Sequence, residues 1–279
     1  MAFEGASRAA LAEQRVDARG ALSVRRRVGR TRIERLFQEG AAKIRLPQGA
    51  GDPLEAVLIN TAGGMTGGDR LSWSISVGDG AHAMLTTQAC EKIYRSAGGG
   101  ATSTIAIDVG AEASLAWLPQ ETILFDGSAF RRTIEADFAP GARGLMVESA
   151  LFGRLSMGET VGRALFADRW RIRCGGRLIH AEDFAIGPDV ADRLAARAAT
   201  GGAPAIATVL ALRDDAGDLL EPARAIIGDG GGASAWRIGE TGKFLARLIA
   251  EDGYGLRKRL VPLLRMLNGA AGLPKVWSI

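Results

Sequence analysis

The sequence predicts a mainly β protein in which layered sheets are followed by a small helical part towards the C-terminus. Several segments alternate apolar and polar residues with a period of two, which is the pattern of half-buried strands. Glycine accounts for 38 of the 279 residues without a collagen-like period, and this abundance indicates many tight turns between short strands. A chain of this length can bury one large core, and its sequence shows neither an internal repeat nor a low-complexity linker. We therefore predict a single domain over residues 1–279, with a disordered or variable N-terminus at residues 1–15.

Strands are predicted where this alternation is bounded by turn residues. The clearest case is residues 71–77, in which apolar side chains occupy every second position and share one face. The predicted strands, in chain order, are residues 16–28, 32–46, 54–59, 71–77, 104–109, 165–174 and 177–180.

The pair Gly175-Gly176 predicts a two-residue hairpin turn between the last two of these strands. Regular pairing across this turn leaves Cys174 and His180 on opposite faces, so they could not share a metal ion. His82 lies eight residues before Cys90, a separation that matches no zinc-ligand spacing. We expect both histidines to be structural.

Two segments have helical rather than strand periodicity. Residues 188–200 begin with a proline and nearby aspartates, and their apolar residues recur four positions apart. Residues 239–268 also carry apolar residues at helical spacing, and Gly253 and Gly255 are expected to divide them into two helices. An extended apolar tail follows. We therefore predict a helical part with an apolar tail over residues 239–279.

Composition excludes several functional classes. A net charge of +4 and an aromatic content of 6% argue against nucleic-acid binding. Two cysteines imply no disulfide framework and favour a reducing compartment. The N-terminus lacks the apolar segment of a secretory signal, and the longest apolar run, residues 204–212, is too short to span a membrane. These features predict a cytoplasmic protein without a nucleic-acid or membrane partner.

Residues 60–69, which we call the glycine loop, place two glycine pairs between Asn60 and Asp69. Glycine reaches backbone conformations closed to other residues and permits close approach of another segment. Strands are predicted on both sides of the loop, so no helix N-terminus is available to bind a phosphate. A glycine-rich stretch at residues 228–233 likewise lacks the following helix of a dinucleotide site. The loop therefore predicts a tight bend where layers or partner chains approach, and no nucleotide site.

Several acidic residues stand beside glycine, proline or aromatic residues. Glu121 follows a proline within an apolar stretch, and Glu148 and Glu159 lie on either side of Arg154. Carboxylates in apolar sequence are often paired with arginine, for which Arg95 and Arg154 are candidates. Two interpretations are open: a buried ion-pair network, or an oxygen-lined path for a hard or borderline cation.

Taken together, these segments resemble the family of the urease accessory protein UreD, called UreH in some systems. The resemblance runs from about residue 20 to the C-terminus and is most specific between Asn60 and Glu159. It rests on blocks that occur in the family's order, namely residues 60–69, 86–89, 92–96, 117–125, 153–154, 158–159 and 273–277.

The resemblance implies a non-enzymatic role and a two-layered, β-helix-like or β-sandwich-like architecture. Proteins of this family bind the partner UreF, which recruits the GTPase UreG, and the assembly docks on urease apoprotein. Nickel then passes through the complex into the buried active site. By this resemblance the chain binds no cofactor tightly, nickel is in transit, and GTP is used by the partner GTPase.

On this hypothesis, oxygen donors would form a transient nickel path through the chain. The candidates are Asp69, Glu91, Glu121, Glu148 and Glu159, with Asn60 and Gln88 as neutral donors. The candidate UreF contact is the C-terminal helix and tail, with Val276, Trp277 and Ile279. An apolar tail normally packs on its own domain, and insertion into a partner is the alternative.

Two further functions stay open at this point. One is a stand-alone hydrolase or transferase that uses Glu121 and Glu148 as an acid–base pair, although no nucleophile–base arrangement is recognisable. The other is a carbohydrate-binding module, which would need more exposed aromatic residues than five tryptophans and two tyrosines supply.

Overall fold

Two β-sheets and three helices make up the computed structural model, which describes residues 15–47, 51–154 and 158–278. Residues 1–14, which include most of the predicted variable N-terminus, lie outside the described residues. The strands are β1 (Asp17–Arg27), β2 (Arg30–Glu39), β3 (Ala42–Arg45), β4 (Leu54–Asn60), β5 (Arg70–Val77), β6 (His82–Thr87), β7 (Glu91–Ile93), β8 (Ala101–Val109), β9 (Ser114–Trp117), β10 (Thr122–Leu124), β11 (Ala129–Phe138), β12 (Arg143–Phe152), β13 (Leu165–Cys174), β14 (Arg177–Ile186), β15 (Ala205–Leu212), β16 (Gly231–Ile238) and β17 (Thr241–Ala250).

From β4 to β13 the chain passes back and forth between the two sheets, so the middle of the chain winds as a β-solenoid. The seven-stranded sheet has the order β14-β13-β11-β8-β5-β1-β2, and every pairing from β1 through β5, β8 and β11 to β13 is parallel. The ten-stranded sheet runs β16-β17-β15-β12-β9-β6-β4-β3, with β7 and β10 attached beside β12, and β4, β6, β9 and β12 are parallel. The predicted mainly β, two-layered and β-helix-like fold is confirmed.

Parallel pairing in register stacks equal positions of successive coils into rows that face the core between the sheets. One row consists of Trp73, Ile105, Ile134 and Trp170, which pair in order across β5, β8, β11 and β13 and are all buried. Burying a large apolar side chain contributes about 1.5–3 kcal/mol, so each such row stabilises several coils at once. The alternation seen in the sequence is the consequence of these rows.

The helices are α1 (Val190–Ala195), α2 (Leu220–Ile227) and α3 (Gly253–Asn268). Helices α2 and α3 pack on the face of the ten-stranded sheet that points away from the solenoid core. In β12, for example, Met146 faces the solenoid core, whereas Leu145 and Val147 belong to the second core beneath α3. The predicted small helical part towards the C-terminus is confirmed. Among the described residues, no helix is long and apolar enough to cross a bilayer.

The helix predicted over the first part of residues 239–268 is wrong, because this stretch forms β17. Phe244, Ala246 and Leu248 of this strand face α3, while Leu245 packs against the solenoid core on the other side. A strand covered on both faces carries apolar residues at successive positions, which imitates helical spacing. The prediction of two helices is also wrong, since α3 is continuous from Gly253.

Two other predicted elements differ in length. Residues 188–200 contain only the six-residue helix α1, which is followed by turns. The predicted strand over residues 32–46 is divided into β2 and β3 at Gly40, whose φ of +59° lies in the left-handed region that glycine tolerates.

The hairpin between β13 and β14 begins as predicted at Cys174 but changes register further along. A bulge pairs His180 with Ile172 instead of Arg171 and turns the imidazole towards Trp170 in the core. By this pairing His180 lies on the side of the sheet that Ile172 and Cys174 share. The prediction that Cys174 and His180 lie on opposite faces is therefore wrong.

Candidate functional site

The glycine loop is closed by the two polar residues that bound it. The Asn60 Nδ2 amide donates to the Gly64 carbonyl (3.3 Å) and to Glu91 Oε1 (3.0 Å). Asp69 accepts hydrogen bonds from the Val16 amide (3.0 Å) and, within the loop, from the Thr66 amide (2.7 Å). Through these contacts the Asp69 carboxylate closes the glycine loop and also binds the residue that precedes β1.

The loop glycines are required by close approach to residues 92–99 of the same chain. A Cβ at Gly64 would lie 2.4 Å from the Tyr94 ring, and a Cβ at Gly67 would lie 2.0 Å from the Ser96 hydroxyl oxygen. Gly64 also has a φ of +149°, which side chains rarely adopt. The predicted close approach is therefore made by a neighbouring segment of the solenoid.

Glu91, at the start of β7, lies beneath the glycine loop. Burial raises the pKa of its carboxyl to about 7, against the lowering effect of the hydrogen bond from Asn60. Within the described part of the chain, no lysine, arginine or histidine nitrogen lies within 4.0 Å of this carboxylate. Glu91 is therefore a half-buried carboxyl group without a neighbouring cation, and its pKa is raised towards neutral pH.

Glu121 is almost completely buried and is neutralised by an arginine from α3. Arg257 Nη1 lies 3.0 and 3.1 Å from the two carboxylate oxygens and donates to Gln120 Oε1 at 2.8 Å. The Cys90 thiol donates to the same carboxylate at 3.4 Å. Burial and the neighbouring Glu121 carboxylate raise the pKa of this thiol to about 12, so Cys90 is a protonated thiol and not a nucleophile.

Glu148 belongs to a buried ion network between the sheets. Arg132 on β11 binds the Glu148 carboxylate on β12 and, through Nε and Nη2, the Asp168 carboxylate on β13 at 3.0 and 2.5 Å. Tryptophan N–H groups complete the network, with Trp117 donating to Glu148 (2.9 Å) and Trp170 to Asp168 (3.0 Å). Burial raises the pKa of Glu148 above its usual range, and Arg132 opposes this shift.

Glu159 forms a pair near the surface. Its carboxylate accepts from Arg154 Nε at 2.6 Å, and the Arg154 guanidinium lies 4.4 Å from the centroid of the Phe125 ring. Arg95, the other predicted arginine partner, instead binds Asp126 at 3.0 Å. The predicted neutral donor Gln88 is exposed and makes no side-chain hydrogen bond with the described residues.

The candidate oxygen donors gather around β7 and β10, but they do not form one coordination sphere. The Glu91 backbone amide donates to the Glu121 backbone carbonyl at 3.0 Å. Thr122, the residue after Glu121, accepts a hydrogen bond from Arg132 at its hydroxyl oxygen. Across the described residues, no group of three or more histidine, cysteine, aspartate or glutamate side chains is arranged to hold a metal ion. Glu121, Glu148 and Glu159 each contact an arginine, whereas Asp69 and Glu91 accept hydrogen bonds from amide groups.

A cavity of about 320 Å³ between the sheets combines a mostly apolar lining with several charged side chains, and it was not predicted from the sequence. Arg132, Glu148 and Asp168 line it together with Ser149, whose buried hydroxyl has no partner among the described residues. Glu182 also lines it. A signal existed in the sequence, because Arg132 and Asp168 occupy positions on the otherwise apolar faces of alternating strands.

His180 lies at the edge of this polar region. It is buried near Lys243 and Arg247, and burial followed by these two cations lowers its pKa to about 4. His82 accepts or donates a hydrogen bond at the Ser114 hydroxyl, 2.9 Å away. His180 Nε2 is buried without a hydrogen-bond partner among the described residues, and the structural role expected of both histidines stays a prediction.

The apolar tail packs on the chain itself, and the prediction that it is extended is wrong, because Lys275–Ser278 form a 3-10 helix. Trp277 is only 3% exposed, and its indole N–H donates to the Leu118 carbonyl at 3.0 Å. Val276 is partly buried against the second core, and Ile279 lies outside the described residues. A direct contact between Trp277 and a partner therefore requires the tail to leave its present position.

Comparison with known proteins places these features in a family context. A sequence model of the family described as "UreD urease accessory protein" matches residues 16–278. A relative named Urease accessory protein UreD 1, from Brucella abortus biovar 1 (strain 9-941), is 57% identical over 269 residues, which cover 96% of each chain. Urease accessory protein UreD from Mesorhizobium japonicum is 57% identical over 251 residues, which cover 90% of each chain.

The raised pKa of Glu91 predicts a pH dependence that Glu91→Gln removes. Because the folded state holds this proton more tightly than the unfolded chain, wild-type stability falls as pH rises from about 4.5 to about 7. The glutamine variant should therefore gain stability relative to wild type over that window, by up to about 3 kcal/mol. Urea unfolding of both proteins between pH 4.5 and 8 measures the difference in their free energies of unfolding. The other titrating groups are common to both proteins, so their contributions cancel in this difference. Parallel stability curves would show that Glu91 is not perturbed.

The buried ion network predicts unequal costs for removing two arginines. Arg132→Met leaves two carboxylates without their cation in the core and should lower the free energy of unfolding by about 3–5 kcal/mol. Arg154→Met removes the partner of the accessible Glu159 and should cost at most about 1 kcal/mol. Urea unfolding of both variants at pH 7 measures the contrast, and equal costs would contradict the assigned difference in burial.

Proposed function

Because the chain belongs to the family of UreD urease accessory proteins, we propose that it acts as a scaffold for delivery of nickel to urease apoprotein. Family membership confirms the resemblance found in the sequence, and it rests on the match of residues 16–278. The chain takes part in urease maturation and is not an enzyme. This excludes the hydrolase or transferase alternative, and the proposed acid–base pair, Glu121 and Glu148, is engaged by two arginines.

In this proposal the chain works in the cytoplasm with two other accessory proteins. It binds UreF directly and the GTPase UreG through UreF, and the assembly docks on the urease subunits. GTP hydrolysis takes place on UreG, since glycine-rich residues 60–69 and 228–233 are each followed by a strand and not by a helix that could bind phosphate. Nickel is the cargo of the complex.

The side chains of this protein suit passage of nickel better than storage. Nickel binds most tightly to sites that combine nitrogen and sulfur ligands, and the described residues offer oxygen donors that are mostly paired with arginine. Among the five candidate carboxylates, Glu91 is the one that competes with a proton instead of an arginine. We propose Glu91 as the entry to a weak and exchangeable path, with Glu121 and Glu148 further along.

The proposed UreF-facing surface is α3 with the tail that follows it. The exposed side of this helix presents Tyr254, Lys258 and Arg265, and Tyr254 is 74% exposed. An exposed aromatic residue flanked by cations is typical of a protein-binding surface. Val276 and Trp277 would join this surface after movement of the tail.

The proposal predicts that urease receives little nickel without this chain. Urease subunits are co-expressed with the other accessory proteins, with and without the chain, and the purified urease is assayed for nickel content and activity. Both should fall strongly when the chain is absent, because the apoprotein then lacks the scaffold for delivery.

The same assay with single carboxylate-to-amide variants distinguishes a nickel path through these carboxylates from a role of the chain as a scaffold alone. Glu91→Gln should reduce nickel content while the chain still folds, whereas Glu135→Gln, at an exposed carboxylate outside the candidate path, serves as the matched control for loss of one carboxylate. Equal nickel in urease made with and without the chain would contradict the proposed function. Full activation by every amide variant would refute the path alone.

A further inference from the structure

Arg257 in α3 holds the C-terminal tail in its buried position. Its Nη2 donates to the Trp277 carbonyl at 3.3 Å, and its guanidinium carbon lies 5.0 Å from the centroid of the indole ring. Further polar contacts of the tail join the indole N–H to the Leu118 carbonyl and the Lys275 backbone to the Glu55 carboxylate. The position of the tail therefore depends partly on where the Arg257 side chain lies.

The same guanidinium neutralises Glu121. Its Nη1 contacts both carboxylate oxygens and the Gln120 side-chain oxygen within 3.1 Å. Over the described ranges, Arg257 supplies the cationic nitrogen within 4.0 Å of Glu121, whose side chain is 2% exposed. Arg257 thus joins a buried carboxylate to the tail through two ends of one rigid, planar group.

The atoms around Arg257 Nη1 are those that a small cation would use. Three oxygens, two from Glu121 and one from Gln120, converge on this nitrogen. The Gln120 amide nitrogen is buried and has no partner among the described residues, and its amide oxygen is held towards Glu121 by the hydrogen bond from Arg257. Carboxylate and amide oxygens accept divalent cations, and a cation bound there would repel the guanidinium.

We propose that a divalent cation arriving at Glu121 displaces Arg257 and thereby releases the tail that carries Trp277. Arg257 is a positioning residue that couples cation occupancy to exposure of an aromatic anchor. By linkage, a partner that binds the released tail would in turn favour cation binding at Glu121. The inference rests on the proposed function, which brings nickel to this carboxylate.

Hydrogen exchange of the full-length chain tests this coupling. Deuterium uptake is followed by mass spectrometry with and without Ni²⁺, and NaCl at equal ionic strength is the control for screening. Ni²⁺ should increase exchange in residues 273–278 by about tenfold, the effect of losing one contact of ordinary hydrogen-bond strength. Peptides from β11 should not change. An unchanged tail in the wild-type protein would overturn the inference.

Variants at the coupled residues give the expected pattern. Glu121→Gln should abolish the response to Ni²⁺, and Arg257→Met should raise exchange of the tail without Ni²⁺ and leave no further response. Glu55→Gln is the matched control, because Glu55 touches the same tail but has no contact with Arg257, and it should keep the response. A response of wild-type size in either Glu121→Gln or Arg257→Met would overturn the inference.

The outcome can be separated from failure of the proposed function because the exchange measurement contains no urease. If the nickel content of urease depends on the chain while Ni²⁺ does not change hydrogen exchange of the tail, only the coupling is wrong. If the tail responds but urease receives equal nickel with and without the chain, the coupling stands and the proposed delivery role fails.

Discussion

One buried guanidinium joins the two sheets of this solenoid. Arg132 on β11 binds Asp168 beside it in the seven-stranded sheet and Glu148 across the core in the other sheet. In-register parallel pairing stacks corresponding residues of neighbouring strands into rows. A charged side chain in a row that faces the core therefore needs an oppositely charged side chain either in the same row or in the facing sheet. The neighbouring row ends on Trp170, which donates to Asp168, so apolar packing and the ion network are fixed together. The position of every strand around this point depends on that arrangement.

The same constraint decides what the carboxylates can do. Glu121 and Glu159 already have an arginine each, and Glu91 holds a proton up to about neutral pH. In the proposed path, a divalent cation would bind these three carboxylates in exchange for an arginine or a proton. Such exchange would make binding weak and reversible, which is the property that an accessory protein in urease maturation needs if it passes an ion onward. In the proposed coupling, it would also convert the arrival of a cation into movement of an arginine.

The sequence was sufficient for the fold wherever one face of a strand is apolar and the other polar, as in residues 71–77. It failed at β17, where α3 covers one face and the solenoid core the other, so no alternation survives. The register of His180 depends on a one-residue bulge that leaves no mark in the sequence. The acidic residues were recognisable from their apolar surroundings, but Arg257 lies 136 positions from Glu121 and could be assigned to it only from the structure.

The most direct test is the affinity of the purified full-length chain for Ni²⁺, measured by isothermal titration calorimetry at pH 7. Because each candidate carboxylate must first give up an arginine, a proton or hydrogen bonds from amides, we expect dissociation constants weaker than about 1 μM. Replacing Glu91 and Glu121 by glutamine should weaken binding further. A site of submicromolar affinity that persists after all five candidate carboxylates are changed to amides would contradict a path made of compensated oxygen donors.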